Sequence, residues 1–148
     1  FYGPTSNAVS EPGKLESSPM KPRDPSPHLE LVTSFTFEAS HLLPYAPASS
    51  KCRRLHGHSW KVEVHVTGAV DCETGWVMDY DEINVACAPV CDSLDHRNLN
   101  DIDGLENPTS EMIAVWIWER LVAEIPQLTR IVVHETCTAR CAYSGHRA

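Results

Sequence analysis

Between Trp60 and Val66 every second residue is apolar, through Trp60, Val62, Val64 and Val66, with Lys61, Glu63 and His65 between them. Strict alternation marks a strand with one face against a core, so the chain must contain a sheet and something for that sheet to lie on. A looser alternation runs from Leu29 to Phe37 through Leu31, Thr33, Phe35 and Phe37, and the two segments read as antiparallel strands. The connection from Leu42 to Leu55 carries Pro44, Pro47 and paired serines. It is too irregular for an element of its own, and long loops inside compact domains are often functional.

The layer that covers the sheet comes further along. Asp79 followed by Glu82 gives a capping-box start to a helix with Ile83, Ala86, Cys87 and Val90 on one face, which Pro89 is expected to kink or shorten. Asn107-Pro108-Thr109-Ser110-Glu111 opens a second helix, with Pro108 near its first turn and Ile113, Trp116, Ile117, Leu121 and Val122 at helical spacing; Pro126 stops it. Arg130 to Thr136 is a β-branched strand, and a short closing segment ends near Tyr143. The order strand, strand, helix, helix, strand, strand describes an α+β domain. Residues 1–28, rich in Pro, Ser, Gly, Lys and Glu, are expected to form a disordered N-terminal extension, leaving 29–146 as the single domain that 148 residues allow.

Twelve Lys and Arg against 20 Asp and Glu give a formal net charge of -8, which opposes the phosphate backbone and argues against a nucleic-acid partner. No apolar run has the length of a membrane span and no leader pattern is visible, so a soluble, cytoplasmic protein without a membrane partner is expected. The six cysteines then read as free thiols rather than a disulfide framework. Cys87 with Cys91 and Cys137 with Cys141 could in principle be metal pairs, but free thiols are the better reading than a tetracysteine zinc site.

His56-Gly57-His58 stands at the mouth of the second strand, where residues two apart share a face and lie about 6–7 Å apart, a spacing that suits two imidazoles on one zinc ion. His41, at the end of the preceding strand, is the natural third ligand of a site with one open position. Cys52 lies among Lys51, Arg53 and Arg54, whose charges favour a thiolate able to act as base or nucleophile. Asp95-His96 is a second proton-handling pair, in which the carboxylate can orient the imidazole. Glu135, at a strand end, can accept two hydrogen bonds from an amidine-like ligand edge. His28, His65, His134 and His146 read as solvated or structural, and Trp116 and Trp118 as core and flank of a helix. Each of these signals also has an ordinary reading as surface or turn chemistry.

In order along the chain, Phe37-Glu38-Ala39-Ser40-His41, Cys52-Arg53-Arg54-Leu55-His56-Gly57-His58, Gly75-Trp76-Val77-Met78-Asp79, Leu94-Asp95-His96, Glu106-Asn107-Pro108-Thr109-Ser110-Glu111 and Glu135-Thr136-Cys137-Thr138-Ala139 resemble the 6-pyruvoyltetrahydropterin synthase superfamily. The three residues between Cys52 and His56 resemble its carboxytetrahydropterin branch, since the pyruvoyl branch typically has a longer spacing. The resemblance implies a tunnelling fold: a four-stranded antiparallel sheet with two helices on one face, several subunits closing a barrel. The oligomer so implied is a hexamer with active sites between subunits. It further implies zinc held by His41, His56 and His58, a catalytic Cys52 with Asp95 and His96 as proton-relay partners, and a pterin anchored by Glu135 in a pocket lined by Thr109 and Ser110. The implied substrate is a small-molecule pterin triphosphate, 7,8-dihydroneopterin triphosphate, converted in queuosine biosynthesis to 6-carboxytetrahydropterin, acetaldehyde and triphosphate. Lys51, Arg53 and Arg54 are candidates for the triphosphate. Two alternatives stay open: triphosphate elimination that stops at 6-pyruvoyltetrahydropterin, and a structural zinc site in a binding module. The second needs a fourth protein ligand, and the sequence places none beside the histidines.

Overall fold

A computed structural model of the chain describes residues 26–145. Residues 1–25 of the expected extension, and residue 146 at the far end of the expected domain, lie outside the described residues. At the inner end of the expected extension the chain is already in the sheet. His28 already pairs with Ala69, and the Pro27 carbonyl accepts from the Val70 amide at 3.0 Å.

The two alternating segments form long strands, β1 (His28–His41) and β2 (His56–Ala69), paired antiparallel from His28↔Ala69 to His41↔His56. After them come α1 (Tyr80–Leu94), β3 (Arg97–Asn98), α2 (Ser110–Leu121), β4 (Leu128–His134) and β5 (Arg140–Tyr143). The strands lie in the order β3-β1-β2-β4-β5 in one open sheet. The expectation of four antiparallel strands therefore needs correcting: among the described residues there are five, and β3 runs parallel to β1, pairing Ala39 with Arg97 and Ser40 with Asn98. A two-residue strand cannot carry a periodic pattern. It forms because His96, at φ +55°, turns the chain out of α1 alongside the end of β1, where its amide donates to the Glu38 carbonyl.

One face of the sheet is the core. Trp60, Val62, Val64 and Val66 of β2 are fully buried, as are Ile131 and Val133 of β4, and the helices add Ile83, Leu94, Ile113, Ile117 and Leu121. Each such side chain contributes roughly 1.5–3 kcal/mol relative to its exposed state. α1 packs on β1, and α2 on β4 and β5. Phe37 stacks on Trp60 at 5.9 Å between ring centroids, across the rung that joins their strands.

Both helix starts are capped. The Asp79 carboxylate accepts from the Asp81 amide, and the Thr109 hydroxyl from the Met112 amide, so Pro108 stands just before the cap of α2. Pro89 does not end α1, which continues to Leu94. The proline is exposed, as is Val85, whose carbonyl would have received the missing N–H, so water can hydrate that carbonyl.

Candidate metal centre and active site

The last rung of the β1–β2 ladder joins His41 to His56, and His58 is two residues further on the same face. Trp60 is next in that row, with its indole 5.2 Å from the His41 ring and 5.2 Å from the His58 ring. His41 and His58 therefore stand on an aromatic floor continuous with the core. His41 is fully buried. Burial, reinforced by His56 and His58, pushes its pKa down, while the bond to Pro108 opposes that shift.

The tautomers follow from the backbone. His41 Nδ1 donates to the Pro108 carbonyl at 2.8 Å, and His56 Nδ1 donates to the Arg54 carbonyl at 2.7 Å. A carbonyl can only accept, so in the neutral form of each ring Nε2 presents a lone pair. The two Nε2 atoms nevertheless face each other at 3.1 Å. Two acceptors at that separation repel unless they share a cation. His58 Nε2 is buried without a hydrogen-bond partner. Nitrogen ligands at 2.0–2.1 Å from a tetrahedral ion lie roughly 3.3 Å apart, so this donor set fits zinc.

Glu135 completes the group, a fourth neighbour that the sequence did not place beside the histidines. Its Oε1 is 3.4 Å from His58 Nε2 and 3.8 Å from His41 Nε2, and one ligand atom from each of the four residues lies within 4.8 Å of the others. The register explains this placement. Lys61 pairs with His134, so the next residue of β4's continuation falls beside Trp60, on the face of His58. A turn in which the Glu135 amide donates to the Ala139 carbonyl holds it there, and the Ser110 hydroxyl donates to its Oε2 at 3.3 Å. Thr109, by contrast, is occupied as the cap of α2. Among the described residues no other group of three or more His, Cys, Asp or Glu converges in this way.

Cys52 sits in a single 3-10 turn, Lys51–Arg53, and is half-buried. Its amide donates to the Ser50 hydroxyl and its carbonyl accepts from the Leu43 amide at 2.8 Å, which folds the loop back onto the end of β1. Of the three neighbouring cations, Arg53 is committed to the Ala46 carbonyl, while Lys51 and Arg54 are exposed. The six thiols are free; burial pushes Cys87 up to about 11 and also raises Cys91 and Cys141.

Asp95 and His96 do form a pair, Oδ2 to Nδ1 at 2.8 Å. The other carboxylate oxygen accepts from the Glu38 amide at 2.8 Å, and this bond first, then His96, holds the Asp95 carboxyl below its ordinary range. The pair stands at the edge of the sheet, and the His96 side chain is 79% exposed. It opens onto a depression of about 500 Å³ that His58, Glu38, Ser59 and Asn98 also line. Sequence reasoning missed the groups that hold these side chains: the Pro108, Arg54 and Glu38 backbones. Backbone groups carry no residue signature.

The 6-pyruvoyl tetrahydropterin synthase family model matches residues 30–146. The chain belongs to this family. Among curated relatives, a Synechocystis protein named 6-carboxy-5,6,7,8-tetrahydropterin synthase is 45% identical over 123 residues, covering 79% of this chain and 94% of its own length. A Pyrococcus furiosus protein named dihydroneopterin monophosphate aldolase is 40% identical, covering 65% and 77%. The solved structure of the Caenorhabditis elegans 6-pyruvoyl tetrahydropterin synthase superposes with a TM-score of 0.76 at 26% identity, covering 82% of this chain and 98% of that one. No helix among the described residues is long and apolar enough to cross a membrane. In this pterin synthase family member, His65, left as solvated or structural from sequence, proves buried. It lies on the other face of the sheet, between Glu30, Glu63 and Arg130.

Proposed function

We propose that this chain is a zinc-dependent 6-carboxy-5,6,7,8-tetrahydropterin synthase, acting on 7,8-dihydroneopterin triphosphate in the cytoplasm and serving queuosine biosynthesis. The observation that carries the reading is the pair of facing Nε2 lone pairs of His41 and His56, both fixed by Nδ1 donation to backbone carbonyls, with His58 beside them. The choice of branch rests on the relative of that name, which aligns over most of both chains.

His41, His56 and His58 would hold the ion. When bound there, zinc supplies Lewis acidity toward the hydroxyls of the substrate side chain. The remaining work belongs to the protein. Cys52 takes a proton from carbon, and His96, its Nδ1 fixed by Asp95, moves a second proton at Nε2. The Glu135 carboxylate, steadied by Ser110, receives the N–H edge of the pterin ring. Lys51 and Arg54, exposed in the loop, meet the triphosphate.

The exposed dyad and the sheet edges support an assembly, which we take to be a hexamer. From His28 to Phe35, β1 has no strand on its outer side among the described residues, and β5 is the other open edge. Copies joined edge to edge would bring one subunit's His96 toward another's metal centre. A second reading, a closed structural zinc site, is favoured by the proximity of Glu135 to the histidines.

Product analysis tests the proposal. Purified protein given dihydroneopterin triphosphate should release acetaldehyde stoichiometric with triphosphate, read by coupling to alcohol dehydrogenase. Triphosphate without aldehyde, and a pterin with a diketone side chain, would instead mean the pyruvoyl reaction. A two-carbon aldehyde that still carries phosphate would mean an aldolase.

A further inference from the structure

We infer that Asn100 is a positioning residue for the metal centre, setting its zinc affinity through His41; the inference rests on the ligand reading above. Asn100 lies in the 3-10 turn Leu99–Asp101, anchored by the fully buried Leu99. Its side-chain amide makes three hydrogen bonds. Oδ1 accepts from the Leu42 amide at 2.9 Å, and Nδ2 donates to the Leu42 carbonyl at 2.9 Å and to the Glu106 carbonyl at 3.2 Å. Both Nδ2 protons are thereby used.

The two backbone segments tied by this amide are the two that hold His41. Leu42 is the residue after His41, just where β1 loses its partners. The β1–β3 pairing ends at Ser40↔Asn98, and two residues on, the Asn100 side chain supplies the donor and acceptor that a further rung would have given to Leu42. Glu106 lies two residues before Pro108, whose carbonyl fixes the His41 tautomer. One amide therefore spans from the ligand's own strand to the loop that carries the ligand's acceptor. Nothing equivalent is needed for His56, whose acceptor, Arg54, is two residues away on its own segment. If the Asn100 bonds are lost, the end of β1 and the Pro108 loop are free to separate. His41 Nδ1 can then lose its acceptor, and Nε2 its direction toward the site.

The test compares zinc affinity, by competition with a chromophoric chelator, and the visible spectrum of the cobalt-substituted protein in wild type, Asn100→Ala and Asn100→Asp. The aspartate keeps the acceptor for Leu42 but faces two carbonyls without a proton to give. Asn84→Ala is the control, because it removes a hydrogen bond to Thr33 near the middle of β1, away from the centre. Both Asn100 variants should bind zinc about tenfold more weakly with an altered cobalt spectrum, the low end of what outer-shell partners contribute, while Asn84→Ala stays within about twofold of wild type. Folded Asn100 variants that match wild type in affinity and spectrum overturn the inference and leave the ligand reading intact. If wild type takes up no zinc, both fall. Should neither variant fold, nuclear magnetic resonance of wild type decides: the Asn100 side-chain NH₂ signals should shift on zinc loading, and unshifted signals overturn the inference.

Discussion

Glu135→Gln separates the two roles open to the fourth member of the site. One carboxylate oxygen of Glu135 is 3.4 Å from His58 Nε2, and the other receives the Ser110 hydroxyl. If Glu135 anchors the pterin, its ionised carboxylate accepts two hydrogen bonds, each worth about 1.5–3 kcal/mol as a bond to a charged group. The amide keeps one acceptor and turns a donor toward a donor. The expected loss is about 3 kcal/mol, or on the order of a hundredfold in the dissociation constant of a pterin. Zinc, still held by three imidazoles, should bind within a few-fold of wild type. Calorimetric titration with a non-reactive pterin gives the first number and chelator competition gives the second. The reasoning is refuted if pterin affinity is unchanged while zinc affinity drops tenfold or more. Glu135 would then close the coordination shell, and the structural-zinc reading would replace the enzymatic one.

Other outcomes follow from the same geometry. His58→Ala removes one of the three imidazoles, whose Nε2 is buried without a hydrogen bond, and should lose zinc and turnover together, with metal analysis of the purified variant as the check. Cys52→Ala should abolish turnover while zinc content and melting temperature hold, because its tie to the loop runs through its amide and carbonyl and survives the change; near-wild-type turnover would move proton abstraction to another group. The folded pKa of Asp95 lies below the ordinary 3.8, so its stabilising contribution is fully present above that value and is lost as pH falls through the lower, folded value. Denaturant midpoints of wild type and Asp95→Asn should therefore differ by a constant amount above about pH 4 and converge below it; a gap that persists to lower pH would refute the assignment.

What the sequence made legible was whatever repeats or carries a distinctive side chain. The alternation through Val62, Val64 and Val66 located β2, and His56-Gly57-His58 could be read as a metal pair because strand geometry puts residues two apart on one face. The proximity of Glu135 to those histidines was not legible, since it depends on the β2–β4 register, which no local pattern encodes. β3 escaped notice because two residues have no period, and Asn100 because its partners are backbone atoms of Leu42 and Glu106. Pro89 misled in the opposite direction. A proline on the solvent side of a packed helix costs less than the rule for helix interiors suggests, because tertiary contacts on the other side, through Cys87, Val90 and Leu94, keep the helix whole.

The closing rung between His41 and His56 also bears on how such a domain can diversify. The ladder from His28↔Ala69 outward fixes the histidines relative to each other whatever lies between them in sequence. Insertions or deletions between Pro44 and Ser50 therefore reshape the loop before Cys52 while leaving Leu42 and Arg54, which steady His41 and His56, in place. On the proposed reading, reactivity and metal capture then sit on largely separate parts, a loop that can vary in length and a hairpin that cannot. A lineage can thus change which proton is taken from a bound substrate without first rebuilding the centre that holds it, and grafting loops of different length onto this hairpin is a direct route to new selectivity.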